Sequence, residues 1–157
     1  SSMHSLGAAH TPDPTADASP LRWVRAVARL VLAAAMLVIG VLHFTNPDPF
    51  VRIMPPWLPA PLWLVWISGV AEIALGALVL VPEARARWLA RWGLVALYVA
   101  VFPANLHMAL SGAQLDPENP LPAWAAWARL PFQAVFILWA IWVTRPSDVR
   151  AGSGESA

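Results

Sequence analysis

The sequence predicts an all-α fold, a four-helix transmembrane bundle with a proline-rich outer loop between helices 1 and 2. Hydrophobic residues make up 59% of the 157 residues and charged residues only 12%, whereas about 25% of a soluble domain is charged. Four apolar stretches are each long enough to cross a hydrocarbon core of about 30 Å. The ten tryptophans are typical of a chain whose helix ends lie at the two membrane–water interfaces.

The N-terminal third of the chain contains a polar tail, the first helix and the proline-rich loop. Residues 1–20 are polar and are predicted to be a disordered cytoplasmic tail. Leu21–Phe44 exceeds the roughly 7–15 apolar residues of a signal-peptide core, so we expect an uncleaved transmembrane helix. Thr45–Pro61 contains six prolines, which exclude a regular helix over most of its length. Because it also contains Phe50 and Trp57, we expect it to pack against the bundle mouth or in the headgroup zone.

The second and third helices flank a basic segment. The second helix is predicted at Leu62–Val81, and Pro82 and the basic turn EARARWLAR follow it. The third helix is predicted over about Trp88–Leu110. Pro103 is expected to interrupt it, because proline lacks the backbone N–H and its ring clashes with the preceding turn.

The fourth helix is expected to contain a proline. Pro131–Val143 alone would span only about 20 Å, which is too short to cross the hydrocarbon core. The helix must therefore begin near Ala123, with a kink at Pro131. Residues 146–157 are predicted to be a second disordered cytoplasmic tail, which leaves 21–145 as one membrane domain.

The arginines predict the orientation in the membrane. Eight of the ten basic residues fall on the side of the two termini, and only Arg52 and Arg129 fall on the other side. Cytoplasmic loops carry an excess of Lys and Arg, so both termini are predicted to be cytoplasmic. We expect a multi-pass protein of the bacterial cytoplasmic (inner) membrane.

A single carboxylate, Glu72, lies in the middle of the second apolar stretch. An acid at mid-bilayer costs roughly 2.5 kcal/mol or more, so such residues usually have a partner or a function. Counting residues places Glu72 roughly 15 Å from the outer surface. Ser68, Gly69 and Gly76 share its side of the helix, and small residues mark faces that pack against other helices. Glu72 is therefore predicted to face the bundle interior.

The inner half of the bundle has no polar group between its arginine belts, and the polar residues that converge from the predicted helices fall in the outer half. They are His43, Glu72, Asn105, His107, Arg129 and Gln133. Arg129 lies one turn from Gln133, and Gln133 is expected at the depth of Glu72. Two compatible interpretations follow. Glu72 and Arg129 form a structural ion pair completed by Gln133 and Asn105, or the same groups line a binding pocket.

The histidines by themselves predict no cofactor. His43 ends the first helix, where a histidine can cap carbonyls and interact with the helix dipole. His43 and His107 could ligate haem, but two histidines without any other signal do not form a haem motif. Asn105 and His107 are two residues apart and face different directions unless Pro103 unwinds the turn. The sequence contains no metal-ligand spacing, no phosphate loop and no nucleic-acid-binding patch.

Four segments together resemble the DoxX-like family of small membrane proteins over about Gly40–Trp142. They are GVLHFTNPDPFVRIMPPWLPAP, ISGVAEIALGALVLVP, VFPANLHMA and RLPFQAVFILWAIW. The resemblance implies a four-helix membrane bundle in which His43, Glu72, Asn105, Arg129 and Gln133 are the family's polar positions. Relatives include a subunit of an archaeal thiosulfate:quinone oxidoreductase and a partner in a mycobacterial complex for oxidative-stress defence. This chain contains no cysteine, so the thiol chemistry of some relatives is not expected here.

These observations predict an accessory component of membrane redox metabolism, one that is not a stand-alone enzyme. We expect a quinone-like or other small amphiphile to bind in an outward-facing polar pocket formed by Glu72, Arg129, Gln133, Asn105, His43 and His107. The expected partners are the lipid bilayer and oxidoreductase subunits, with no role for nucleic acid. Two alternatives are a small-solute transporter, in which Glu72 titrates, and a chaperone or assembly factor for other membrane proteins.

Overall fold

The computed structural model describes residues 20–146, and this part of the chain is all α-helical, as predicted. The helices are α1 (Pro20–Thr45), α2 (Asp48–Arg52), α3 (Pro61–Leu80), α4 (Ala84–Ser111) and α5 (Ala123–Thr144). Four of these helices, α1, α3, α4 and α5, are long and apolar enough to cross a membrane, whereas α2 is a short helix of five residues in the proline-rich loop. The predicted tails lie outside the described residues, except that Pro20 begins α1 and Pro146 follows α5.

The four long helices pack as a closed ring in the order α1, α3, α4, α5. Each packs on the next, and α5 returns to α1, so that α3 and α5 stand diagonally across the bundle, as do α1 and α4. We call the end with the start of α1, the α3–α4 turn and the end of α5 the terminal end. The opposite end, with segments 46–60 and 112–122, is the loop end.

Glycines bring α1 and α3 close together. A Cβ atom added to Gly69 would lie 2.7 Å from the Cβ of His43, and one added to Gly40 would lie 3.1 Å from the Gly69 carbonyl oxygen. Small residues allow helix backbones to approach closely and pack. The face that carries Gly69, Glu72 and Gly76 is thus directed at α1.

The apolar core lies in the terminal half of the bundle, and a large apolar surface faces outward. Leu32, Val79, Leu94 and Val143 are completely buried and belong to one cluster. Elsewhere the long helices expose many large apolar side chains, among them Trp23, Leu30, Val70, Trp124 and Leu138. Helices that are apolar on their outer faces as well as inside are typical of a protein surrounded by lipid. These are the features of a multi-pass membrane protein.

Two expectations about α4 were wrong. The basic segment EARARWLAR is not a turn: α4 already begins at Ala84, after an extended Glu83. The reason is that Ala, Arg and Leu are strong helix formers, whatever their charge. Pro103 lies inside α4 without ending it, because neighbouring groups in a packed bundle can satisfy the carbonyl that a proline leaves free. Pro131 lies inside α5, as predicted.

Candidate functional site

A cavity of about 460 Å³ occupies the loop-end half of the bundle. Its walls come from all four long helices, and the loop residues Phe50, Ile53 and Met54 cover one side. Most of the lining is apolar or aromatic. The polar lining residues are His43, Ser68, Glu72, Asn105, Arg129 and Gln133. A mostly apolar cavity of this size with a few convergent polar groups is typical of a site for a small organic ligand.

Five of the six predicted site residues line this cavity, and His107 does not. Its carbonyl accepts a hydrogen bond of 2.6 Å from the hydroxyl of Ser111, and its Nε2 lies 3.4 Å from the same hydroxyl. α4 remains helical through Pro103, so residues two apart point in different directions. Asn105 therefore faces the cavity and His107 does not.

The His43 ring is held at the end of α1 by three contacts. Nδ1 lies 2.7 Å from the Ile39 carbonyl oxygen and 3.2 Å from Oε2 of Glu72. The ring also stacks on Phe50, with 3.8 Å between centroids. A carbonyl oxygen only accepts, so the contact with Ile39 requires the proton on Nδ1. In the neutral ring, Nε2 is then a hydrogen-bond acceptor.

Glu72 and Arg129 were expected to lie within ion-pair or one-water reach, and the described residues contain no direct ion pair between them. Within residues 20–146 Glu72 Oε2 lies 3.2 Å from His43 Nδ1, a contact that is an ion pair only when the imidazole is protonated, and no pair within 4 Å joins Glu72 to Arg129. The cause is the ring order of the helices, because α3 and α5 are diagonal. Counting residues gave the depth of each side chain along its helix, but not the direction in which it points. Glu72 and Arg129 instead lie on different walls of one cavity.

An amide network joins α4 to α5 on the Arg129 side. Asn105 Nδ2 donates to Oε1 of Gln133 at 2.9 Å, and Gln133 Nε2 donates to the carbonyl of Tyr98. Arg129 Nη2 approaches Oδ1 of Asn105 at 3.4 Å. Gln133 is only 8% exposed, and both ends of its amide form hydrogen bonds. Arg129 is partly buried, and its partner in the described residues is a neutral amide, so its positive charge has no acid within 4 Å.

Two lining residues with hydrogen-bonding side chains, Tyr98 and Ser68, were not among the site residues predicted from the sequence. Tyr98 lines the cavity, its carbonyl accepts from Gln133, and its hydroxyl donates to the sulfur of Met36 at 3.4 Å. It is the only tyrosine in the chain and lies five residues before Pro103, which is a signal that could have been used. Ser68 was interpreted only as part of the small-residue face, although it also lines the cavity.

The loop that covers the cavity is attached at several points. Phe50 stacks on His43, and Ile53 is buried. Arg52 Nη1 donates to the carbonyl of Leu115 at 2.9 Å, which links this loop to segment 112–122. The loop therefore contributes directly to the geometry of the cavity wall.

The site thus has a polar group on each of two sides and an apolar interior between them. One side carries the His43–Glu72 pair, and the other carries Arg129 with its amide network.

No curated protein and no solved structure matches the chain. One family model, described as a domain of unknown function, matches residues 32–144, which contain all of the cavity's lining residues. The chain therefore belongs to the family of the domain of unknown function DUF8561.

Proposed function

We propose that this protein is an accessory component of membrane redox metabolism that binds a quinone-like or other small amphiphile in its cavity. The observation that supports this most is the Arg129 guanidinium, which has no acid within 4 Å in residues 20–146, on one wall and the His43–Glu72 pair on another. Both border an otherwise largely apolar space. In this proposal the protein holds the ligand for a partner and is not itself a stand-alone enzyme.

A quinol head group matches this distribution of donors and acceptors. Arg129 is a donor only, so it suits an oxygen on the ligand. Glu72 and the Nε2 of His43 are acceptors in their ionised and neutral forms, so they suit an O–H at the opposite end of the ring. The aromatic side chains Phe132 and Phe136 also line the cavity and can stack on a flat ring.

The redox connection and the membrane orientation are further parts of the proposal. The four segments that resemble DoxX-like proteins support a link to oxidoreductase subunits in the bacterial inner membrane. The excess of arginine at the terminal end supports cytoplasmic termini and an outward-facing loop end. In that orientation the proline-rich loop is the outer loop, and the cavity lies in the outer leaflet half.

The transporter alternative receives less support from the packing. A transporter needs a second opening toward the terminal end. Leu32, Val79, Leu94 and Val143 are completely buried there and fill the bundle interior. We therefore favour a site that opens toward one side only.

The test is to identify and then rebind the ligand. The full chain, purified in mild detergent, is extracted for mass spectrometry of small molecules, and binding of ubiquinone and menaquinone is followed by tryptophan fluorescence. We expect Arg129→Gln to weaken binding about tenfold or more, because a hydrogen bond from a charged group is worth roughly 1.5–3 kcal/mol.

The matched control is Arg85→Gln, which removes the same charge from an exposed side chain that does not line the cavity. Its binding is expected to stay within about threefold of the unmodified chain, as for an exposed charge. Equal binding by the Arg129 variant and the unmodified chain would exclude Arg129 from the site.

A further inference from the structure

Two arginine stripes converge at the terminal end, on the opposite side of the bundle from the cavity. Arg25 and Arg29 are four residues apart on α1, and Arg87 and Arg91 are four residues apart on α4. Residues at this spacing share one face of a helix and lie about one turn apart. Both helices begin at the terminal end, so Arg25 and Arg87 form the layer nearer the chain ends and Arg29 and Arg91 the deeper layer.

The deeper layer has a structural role. Arg29 Nε donates to the Val143 carbonyl at 3.0 Å, and Arg91 Nη2 donates to the Thr144 carbonyl at 2.5 Å. Arg91 Nε also approaches the Thr144 hydroxyl at 3.3 Å. The last carbonyls of a helix lack intrahelical partners and lie at the negative end of its dipole. These two arginines therefore cap α5, and they bring the stripes of α1 and α4 together over its end.

The layer nearer the chain ends, Arg25 and Arg87, has no such capping role. Nε of Arg25 and Nε of Arg87 are buried without a hydrogen-bond partner, and neither guanidinium forms an ion pair or a hydrogen bond within residues 20–146. Arg25 and Arg87 each lie within electrostatic reach of Arg29 and repel its charge. The one acid at this end in the described range, Glu83, forms no ion pair with them. Partly buried like charges are costly without a counter-charge.

We propose that Arg25 and Arg87, with Arg29 behind them, bind the phosphate group of an anionic ligand at the terminal end of the bundle. Guanidinium groups present several donors in a planar fork that matches phosphate oxygens. A phosphate here would neutralise the cluster and connect the two diagonal helices α1 and α4.

The surroundings favour a lipid phosphodiester as the source of this phosphate. Trp23 lies between Arg22 and Arg25 in the chain, Trp88 follows Arg87, and both tryptophans are exposed. Tryptophan is enriched at the level of lipid head groups. Basic pockets between membrane helices on the cytoplasmic side bind anionic lipid head groups. A soluble phosphate compound offers the same chemistry, and the experiment separates the two sources.

The test is native mass spectrometry of the full chain in a non-ionic detergent at about 0.15 M salt, where distant surface charges are screened. Phosphatidylglycerol, phosphatidylcholine and inorganic phosphate are titrated separately. We expect phosphatidylglycerol to bind more tightly than phosphatidylcholine. The double variant Arg25→Gln/Arg87→Gln is expected to lose about tenfold or more of that affinity, as befits lost charge-assisted hydrogen bonds.

The matched control is Arg85→Gln/Arg145→Gln, which removes two exposed arginines from the same end and should lose less than about threefold. Circular dichroism checks the helix content of every variant. If the double variant does not fold, the two single variants replace it, each with an expected loss of about threefold or more.

Each result decides one point. The proposal would be overturned if both double variants lost the same affinity for phosphatidylglycerol, or if the single variants bound it as tightly as the unmodified chain. It would also be overturned if phosphatidylglycerol bound no more tightly than phosphatidylcholine and inorganic phosphate did not bind. Millimolar inorganic phosphate that binds to the unmodified chain alone, and not to the Arg25/Arg87 variant, would support the phosphate site and assign it to a soluble ligand.

Discussion

The position of His43 depends on groups from three parts of the chain. The Ile39 carbonyl on its own helix, Glu72 on α3 and Phe50 in the loop all contact its ring. His43 is only 7% exposed, so these partners shield most of it from solvent. At the residue scale the Glu72 carboxyl group of α3 therefore contacts the His43 imidazole of α1, and Arg129 lies on another wall of the same cavity.

The His43–Glu72 contact predicts non-additive effects of substitution on stability. His43→Leu leaves a buried acid without its partner, so it should destabilise the chain. In a Glu72→Gln background the same change should cost less, because no charge is left unpaired. The coupling free energy from unfolding in detergent should reach about 0.5–3 kcal/mol.

His107→Leu is the control for this cycle, because His107 does not line the cavity. It should combine additively with Glu72→Gln, within about 0.5 kcal/mol. Additive behaviour of His43→Leu and Glu72→Gln would mean that the contact has no energetic significance.

At the element scale the seam between α1 and α3 sets the geometry of the acid side of the cavity. A Cβ atom on Gly69 would lie 2.7 Å from the His43 Cβ and 2.8 Å from Cε2 of Phe44. The first of these atoms is fixed to the α1 backbone and cannot turn away. The two helices would have to separate to accommodate a larger residue.

Gly69→Ala is therefore expected to destabilise the chain by about 1–3 kcal/mol, the usual cost of overpacking. Gly93→Ala is the matched control. The added Cβ there meets only the side chain of Leu75, which can change rotamer, so its cost should be smaller. Thermal unfolding in detergent compares the two variants. A Gly69 variant as stable as the unmodified chain would contradict the close approach of α1 and α3.

The sequence was a good guide to the helices and a partial guide to the site. The long apolar stretches predicted α1, α3 and α5 to within one or two residues, because hydropathy and the length of a membrane span restrict each helix strongly. The start of α4 was missed because a basic segment after Pro82 was interpreted as a turn. Depth counting placed Glu72 and Gln133 at one level and Arg129 about one turn nearer the outer surface. It could not supply the ring order of the helices, which places Arg129 diagonally across from Glu72.

At the scale of the whole molecule the two ends of the bundle differ in charge and in packing. The terminal half contains the apolar core and most of the arginines, and the loop half contains the cavity. The arginine distribution favours a cytoplasmic terminal end. The bilayer would then see an exterior of exposed Leu, Val and Trp side chains.

The orientation is tested with single cysteines, since the chain has none of its own. Glu118→Cys lies in the loop-end segment and Glu83→Cys in the α3–α4 turn, and both positions are exposed. An impermeant thiol reagent added to intact cells should label position 118 at once and position 83 only after lysis. The reverse pattern would place the termini outside the cytoplasm.

The central claim, that an amphiphile binds inside the bundle, is tested most directly by photocrosslinking with a quinone analogue that carries a diazirine. Mass spectrometry of the labelled full chain should find the adducts on cavity residues such as Phe50, Met54 and Tyr98, and excess unlabelled quinone should prevent them. Adducts confined to outward-facing residues such as Val70 and Leu138, and insensitive to competition, would contradict the claim.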